Sequence, residues 1–176
     1  MAQHEIQIVS NKEFTLECLI TDRKEFFKGI RKLDVIDLVK TPTKQLPPQL
    51  STLNRQNNDV CEDAIVLLLL NLIDFYNVKN KMNEEQLYDV AGLIASEYFY
   101  LSLVDLALCF KKVKTGKFGK VYDRVDGGMI MDWIRTYELQ KTEMLTNHRQ
   151  SESNNHKGDN SSRSAGKFID LLKDKL

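Results

Sequence analysis

Apolar residues recur at helical spacing along most of the chain, and this pattern predicts an all-α protein. Residues 59–76 are apolar on nearly every face, which is typical of a central, buried helix. Residues 126–137 carry one apolar stripe of the kind that faces a packed core, and its members are Met129, Ile130, Trp133, Ile134 and Tyr137. We therefore expect a compact bundle of five or six helices.

Capping residues mark the starts of two further helices. Asn83 and Gln86 have the spacing of a capping box, in which each side chain accepts a hydrogen bond from the other residue's backbone amide. Ser102 and Asp105 repeat that spacing. Apolar residues at helical spacing follow both pairs, so we expect one helix after residue 83 and another after residue 102. We also expect Asp126 to cap the helix that carries the stripe.

Residues 1–50 show a helical pattern that turns interrupt, and we interpret them as an N-terminal helical extension. Three prolines between residues 42 and 48 break the pattern, because proline lacks a backbone donor and biases its predecessor away from helix. The main helical bundle then covers residues 51–145. The sequence leaves open whether the extension packs on this bundle.

The composition changes abruptly beyond Leu145. Residues 146–165 contain no large apolar side chain, which predicts a disordered tether. The C-terminal peptide, residues 166–176, is amphipathic and predicts a short helix. Either it docks on its own domain or it binds a protein partner, such as a helicase, as a helix in a groove. The residues expected to bind that partner are Phe168, Ile169, Leu171 and Leu172.

Charge and composition indicate a soluble, cytoplasmic protein. The 25 basic and 25 acidic residues balance, so no overall field attracts the chain to nucleic acid or to a membrane. The most apolar run, residues 64–76, is too short to cross a bilayer, and the first residues do not resemble a secretory signal. Cys18, Cys61 and Cys109 lie in apolar helical patterns and are expected to be reduced core thiols.

The inventory of catalytic residue types predicts no enzyme, no cofactor and no metal site. The three histidines lie in the N-terminal arm and the tether, where nothing holds a catalytic geometry, and they are His4, His148 and His156. The glycine spacing at residues 116–120 is too short for a nucleotide-binding P-loop. A metal-dependent enzyme remains as a third hypothesis. It would require carboxylates to converge, and the candidates are Asp105, Asp123, Asp126 and Asp132.

Residues 111–124, which we call the basic turn, form the best candidate site. Gly116 and Gly119 permit unusual backbone angles, and six basic residues stand among two aromatic rings. Lysines that contact phosphates and rings that stack on bases together favour sequence-tolerant nucleic-acid binding. The expected contact residues are Lys111, Lys112, Lys114, Lys117, Phe118, Lys120, Tyr122 and Arg124. In the alternative interpretation the lysines complement a helix C-terminus and both rings pack inward. The exposure of the rings distinguishes the two.

A block covering residues 82–137 carries a family resemblance. Its residues are Met82 with Gln86, Ile94 and Tyr98, Leu103-x-Asp105 and Phe110, Lys114-x-Gly-Lys-Phe-Gly119, Tyr122-x-Arg124-x-Asp126, and the helix from Trp133 to Tyr137. This block resembles a family of small, uncharacterised helical proteins of Bacteroidetes genomes, phages and mobile elements. The arrangement of a helical body and a polar tail is similar to phage helicase-loader and replisome-organiser proteins, which implies no residue roles.

The leading hypothesis is a non-enzymatic adaptor in the DNA metabolism of a phage or mobile element. The basic turn would contact the backbone of single-stranded or duplex DNA, and the C-terminal peptide would bind a protein partner. The second hypothesis is a protein–protein interaction or regulatory module that makes no contact with nucleic acid.

Overall fold

The computed structural model describes residues 14–76, 78–122 and 124–173, with side chains as far as residue 154. Within those ranges the chain forms eight α-helices and no named β-strand, which confirms the all-α prediction. The helices are α1 (Leu16–Thr21), α2 (Arg23–Lys32), α3 (Val35–Lys40), α4 (Leu50–Gln56), α5 (Asn58–Tyr76), α6 (Glu84–Glu97), α7 (Leu103–Lys114) and α8 (Gly127–Lys173). A single 3-10 turn, Thr43–Gln45, lies between α3 and α4.

The α5 helix lies at the centre of the molecule, as its apolar pattern predicts. It packs against α1, α4, α6 and α7. Ile65, Leu69 and Leu72 are completely buried, and so is Cys61 near the start of the helix. Burial of apolar surface on several faces at once makes α5 the element around which the others assemble.

The N-terminal segment packs on the bundle, which the sequence left open. Phe26 of α2, Leu33 and Leu50 are almost fully excluded from solvent and belong to the same hydrophobic core as α5. The α2 helix contacts α7, and α3 contacts α8. The described part of this segment therefore shares one core with residues 51–145.

The helix starts follow the capping residues identified in the sequence. Asn83 Oδ1 accepts a hydrogen bond from the Gln86 amide at 2.8 Å, and Gln86 Oε1 accepts one from the Asn83 amide at 3.0 Å. Ser102 and Asp105 form an equivalent capping box at α7. Asp126 Oδ1 accepts a hydrogen bond from the Met129 amide at 3.0 Å at the start of α8. These bonds satisfy amides that the first turn of a helix leaves unpaired.

A buried polar cluster joins α7 to α8 and centres on Asp105. The hydroxyl of Tyr137 donates a hydrogen bond to Asp105 Oδ1 at 2.8 Å, and the Lys141 ammonium donates to the same oxygen at 2.6 Å. The other carboxylate oxygen accepts from the backbone amide and the hydroxyl of Ser102. Burial and the neighbouring Asp105 raise the pKa of Tyr137 well above its ordinary value. Asp105 therefore has a tertiary role beyond the expected cap.

The α8 helix continues as far as Lys173 and so crosses residues 146–165, where the composition predicted a disordered tether. No proline follows residue 48, so nothing in that stretch removes a backbone donor and stops the helix. The described side chains from residue 149 to residue 154 are exposed and take no part in the core. The domain boundaries at residues 145 and 165 stay predictions.

None of the helices in the described ranges is both long and apolar enough to cross a bilayer.

Candidate nucleic-acid interface

The first lysine of the basic turn fixes one helix to another. The Lys111 ammonium donates hydrogen bonds to the carbonyl oxygens of Ile30 at 3.2 Å, Arg31 at 3.0 Å and Leu33 at 2.6 Å. These carbonyls lie at the C-terminus of α2, where a helix leaves acceptors unpaired and favours positive charge. Lys111 therefore caps α2 and is not free to contact a ligand.

The second lysine and the first aromatic ring of the basic turn also point inward. Lys112 is buried, and its ammonium donates a hydrogen bond to Gln140 Oε1 at 2.8 Å. It lies 6.0 Å from the ring centre of Phe118 and 5.7 Å from that of Tyr137. Burial lowers the pKa of Lys112. Phe118 is half-buried and packs against the core, as the alternative interpretation expects of this ring, whereas Lys112 contacts Gln140 and not a helix C-terminus.

The distal half of the basic turn is open to solvent. Lys117 and Lys120 are exposed, and Tyr122 keeps 78% of its surface accessible. Arg124 is exposed and forms an ion pair with Asp126, with 3.1 Å between Nε and Oδ2. Positive φ angles of 75° at Gly116 and 100° at Gly119 shape this half, as the two glycines predicted. Lys117, Lys120 and Tyr122 are thus the members of the set most available to a partner.

Lys114 leaves the turn in a third direction, toward α2 and α5. Its ammonium donates a hydrogen bond to Asn71 Oδ1 and lies near two rings, 5.7 Å from the ring centre of Phe27 and 5.5 Å from that of Phe75. Burial lowers the pKa of Lys114 from its ordinary 10.5 to about 8. The neighbouring rings stabilise the cation, whereas the loss of hydration destabilises it.

A basic cleft of about 600 Å³ lies between α2 and α5, and we call it the α2–α5 cleft. Asn71 and Phe27 line it, so Lys114 stands at its edge. Its charged lining residues are Arg23, Lys24, Glu25, Lys28, Arg31 and Asp74. The clustering of four basic side chains beside the ring of Phe27 is similar to the chemistry that the sequence suggested for the basic turn.

Both acidic residues of the cleft already have cationic partners. Glu25 pairs with Lys28 at 3.1 Å, and Asp74 pairs with Lys81 at 2.9 Å. In the described part of the chain, Arg23, Lys24 and Arg31 form no ion pair, and all three side chains are exposed. The α2–α5 cleft therefore presents uncompensated positive charge.

Sequence reasoning missed the α2–α5 cleft, although part of its signal was present. Lys24, Lys28 and Arg31 stand at i, i+4 and i+7, which places them on one face of α2. The opposite wall comes from α5, about forty residues later in the chain, and no local pattern indicates that pairing. The basic face of α2 could be predicted from the sequence, whereas the cleft that it lines could not.

The carboxylates proposed for a metal-dependent enzyme have other partners. Asp105 is bound in the buried polar cluster, Asp126 caps α8 and pairs with Arg124, and Asp132 lies 3.7 Å from Arg135. Asp123 lies outside the described residues. Among those that are described, no three histidine, cysteine or carboxylate side chains gather in a way that could hold a metal ion.

The candidate thiols and the C-terminal peptide complete the set of predicted residues. Cys61 and Cys109 are buried and Cys18 is half-buried, and none of the three forms a disulfide. Burial raises the pKa of Cys109, which keeps this thiol protonated and unreactive. The four residues assigned to partner binding have no described side chains, so their role stays a prediction. They are Phe168, Ile169, Leu171 and Leu172.

Comparison with known proteins gives one match. The model of a family of unknown function, DUF6633, matches residues 81–174, which is more than half of the chain. The matched range contains the basic turn, Lys114 and the block whose pattern carried the family resemblance, whereas α2 and α5 lie outside it. No curated protein and no solved structure matches the chain.

Proposed function

Starting from a chain that belongs to DUF6633, a family of unknown function, we propose a non-enzymatic adaptor that contacts nucleic acid through the α2–α5 cleft. The observation that supports this proposal is the set of unpaired cations in the cleft lining, beside Phe27 and with Lys114 at the edge. These cations are Arg23, Lys24 and Arg31. The cleft takes the main role that the sequence assigned to the basic turn. Lys117, Lys120 and Tyr122 of that turn remain as a second contact.

The lining suits a single strand better than a base-reading interface. Arg23, Lys24 and Arg31 can contact phosphates as their counterions are released. Phe75 lies outside the lining, near Lys114, and is 58% exposed, so its ring could stack on a base of a strand that leaves the cleft. The cleft and Phe75 thus combine phosphate contacts with stacking, which favours binding with little sequence preference.

The protonation of Lys114 should respond to a negatively charged ligand in the cleft. With a pKa of about 8, its ammonium loses a proton more readily than that of an ordinary lysine. A phosphate near Asn71 would favour the charged form and raise this pKa, since an opposite charge stabilises the cation. Binding should therefore take up protons near pH 8.

The test is a fluorescence-anisotropy titration of a labelled single-stranded oligonucleotide and of its duplex, at several salt concentrations. The cleft variant carries Arg23→Glu, Lys24→Glu and Arg31→Glu. Its matched control carries Lys40→Glu, Lys44→Glu and Arg55→Glu, which make the same charge change at exposed positions outside the cleft lining. A third variant, with Lys117→Glu and Lys120→Glu, tests the turn.

The cleft variant should bind the single strand far more weakly than wild type, and the control should bind nearly as well as wild type. If three phosphate contacts are lost, the slope of log affinity against log salt should fall by about 2. Equal binding by the cleft variant and the wild type would contradict the proposal.

The finer role that we propose is in replication or helicase loading of a phage or mobile element, in the cytoplasm. It rests on the resemblance of the sequence and on the basic cleft. Genes for a helicase, primase or recombinase next to this one would support that assignment. Neighbours with no part in DNA metabolism would count against it.

A protein–protein interaction or regulatory module without nucleic-acid contact is the second candidate. The inward orientation of Lys111, Lys112 and Phe118 favours this second candidate. These residues hold α2 and α8 to α7 and leave the basic turn with few cations available to nucleic acid. The same titration decides between the two. Absence of any salt-sensitive binding to DNA or RNA by the wild type would favour the second candidate.

A further inference from the structure

An apolar groove of about 840 Å³ lies where α1, α5 and α6 meet. Ile20, Leu70 and Tyr88 line it and are 47%, 37% and 39% exposed, so this surface leaves large apolar side chains in contact with water. Met82 and Leu87 extend the same lining. Apolar patches of this kind mark interaction sites in soluble proteins.

The charges of the apolar groove are all negative in the described part of the chain. Asp63 and Glu84 line it, and no lysine or arginine does. The Tyr88 hydroxyl donates a hydrogen bond to Asp63 Oδ1 at 2.7 Å, which fixes that carboxylate at the edge of the apolar surface. The fitting occupant is an apolar helix face bordered by positive charge.

The C-terminal peptide has that composition. Phe168, Leu171 and Leu172 stand at i, i+3 and i+4 and so share one helix face, which Ile169 widens. At about 100° per residue Lys167 and Lys173 border that face, whereas Asp170 and Asp174 fall on the opposite side. Burial of the apolar face requires another surface.

The course of α8 determines which copy of the chain can supply the peptide. Among the α8 side chains that the structure describes, Leu145 is the last that packs against the core, and the helix continues to Lys173. At 1.5 Å per residue, those 28 residues extend about 42 Å beyond Leu145. A continuous helix of that length cannot turn back to the apolar groove of its own chain.

We propose that the apolar groove binds the C-terminal peptide of a second copy of this chain. Two copies that exchange their peptides would form a closed dimer in which each groove is filled once. Lys167 and Lys173, which border the apolar face, would lie near Asp63 and Glu84, so salt should weaken the dimer.

The test measures the mass of the full chain by sedimentation velocity over a range of concentrations. A groove variant carries Ile20→Asp, which lies outside the α2–α5 cleft, and a peptide variant carries Leu171→Asp with Leu172→Asp. The control carries Leu139→Asp, a change of the same kind at a position 66% exposed on α8 and outside the groove lining. Thermal melts check that each variant is folded.

The wild type and the control should dimerise, and each variant alone should dimerise about tenfold or more weakly, as expected when a buried contact worth over 1 kcal/mol is lost. A mixture of the groove and peptide variants should form heterodimers, because the groove variant supplies an intact peptide and the peptide variant supplies an intact groove. A monomeric wild type at hundreds of micromolar would overturn the proposal, as would a dimer that both variants leave unchanged.

Docking of the peptide on its own chain is a further outcome that would overturn it. A spin label at residue 172 would then broaden groove resonances of the same molecule, independently of concentration. The inference does not depend on nucleic-acid binding. Dimerisation and anisotropy are separate measurements, and Ile20→Asp should leave DNA affinity unchanged at concentrations where the chain is monomeric.

Discussion

Three lysines within four positions at the end of α7 meet three different environments. Lys111 binds the carbonyls that end α2, Lys112 is buried against α8, and Lys114 lies near two phenylalanine rings. Their sequence context is almost the same, and their directions around the helix differ by about 100° per residue. The partner, and not the residue type, therefore decides whether each lysine is structural or available.

We expect Lys114 to titrate near pH 8 because burial disfavours its charged form. After reductive dimethylation, one lysine NMR signal should titrate there and disappear in Lys114→Met but persist in Lys117→Met. The unfolded chain holds this proton up to its ordinary pKa of 10.5, so it binds more protons between pH 8 and 10.5. The free energy of unfolding should rise with pH across that window, and Lys114→Met should flatten the rise.

Replacement of Asp105 should be among the most destabilising single changes. Asp105→Asn leaves the Lys141 ammonium, 17% exposed, without its negative partner, and we expect a loss of about 3–5 kcal/mol in urea denaturation. Adding Lys141→Met should recover part of that loss, because no buried charge remains. The control Asp132→Asn breaks an exposed pair and should cost less than about 1 kcal/mol. Similar losses for both aspartates would contradict this account.

At the scale of the element, α8 begins in close contact with α6. A methyl group added to Gly127 would lie 2.7 Å from Val90 Cγ2, closer than two carbon atoms can approach. Gly127→Ala should therefore lower the free energy of unfolding by about 1–3 kcal/mol. Val90→Ala in the same chain should relieve the clash, so the double variant should lose less than the two single variants combined.

The neighbouring glycine provides a matched control for this prediction. A methyl group on Gly128 would approach only Asp126 Oδ1, at 3.5 Å, which is ordinary contact. Gly128→Ala should be neutral or stabilise the helix by up to about 1 kcal/mol. A large loss at both positions would indicate a general intolerance of alanine and not a contact with α6.

The distal part of α8 should contribute little to stability. The described side chains after residue 148 are exposed, so deletion of residues 151–176 should change the free energy of unfolding of the monomer by less than about 0.5 kcal/mol, measured at concentrations too low for dimerisation. The accompanying change in total helical circular dichroism tests the backbone of the tail. A fall would support the continuous helix, and no fall would support the disordered tether.

Local signals made much of the fold predictable. The buried α5 and the starts of α6, α7 and α8 follow from apolar spacing and from caps whose partners lie three residues apart. The site depended on distant partners and was not predictable in the same way. Lys111 reaches Ile30 across 81 residues, and Lys114 reaches Asn71 across 43. The residues next to a lysine in the sequence do not indicate which distant oxygen atom will accept its hydrogen bond.

For the molecule as a whole, the packing of α2 on α7 decides where charge gathers. The composition is neutral overall, with 25 basic and 25 acidic residues, yet the face of α2 next to α5 presents unpaired cations. Folding thus converts a balanced chain into a surface with a local positive field. This field arises from the N-terminal segment. The sequence pattern predicted that this segment is an extension, and in the structure it packs into the core.

The α5 helix also separates two open spaces, and Leu67 and Leu70 line both the α2–α5 cleft and the apolar groove. A side chain that touches two sites cannot change its rotamer for one without altering the other. Thermodynamic linkage then requires a reciprocal effect: by whatever factor an occupied groove alters affinity in the cleft, an occupied cleft alters affinity in the groove. Two leucines would in this way make the assembly of the protein and its contact with a ligand a single equilibrium.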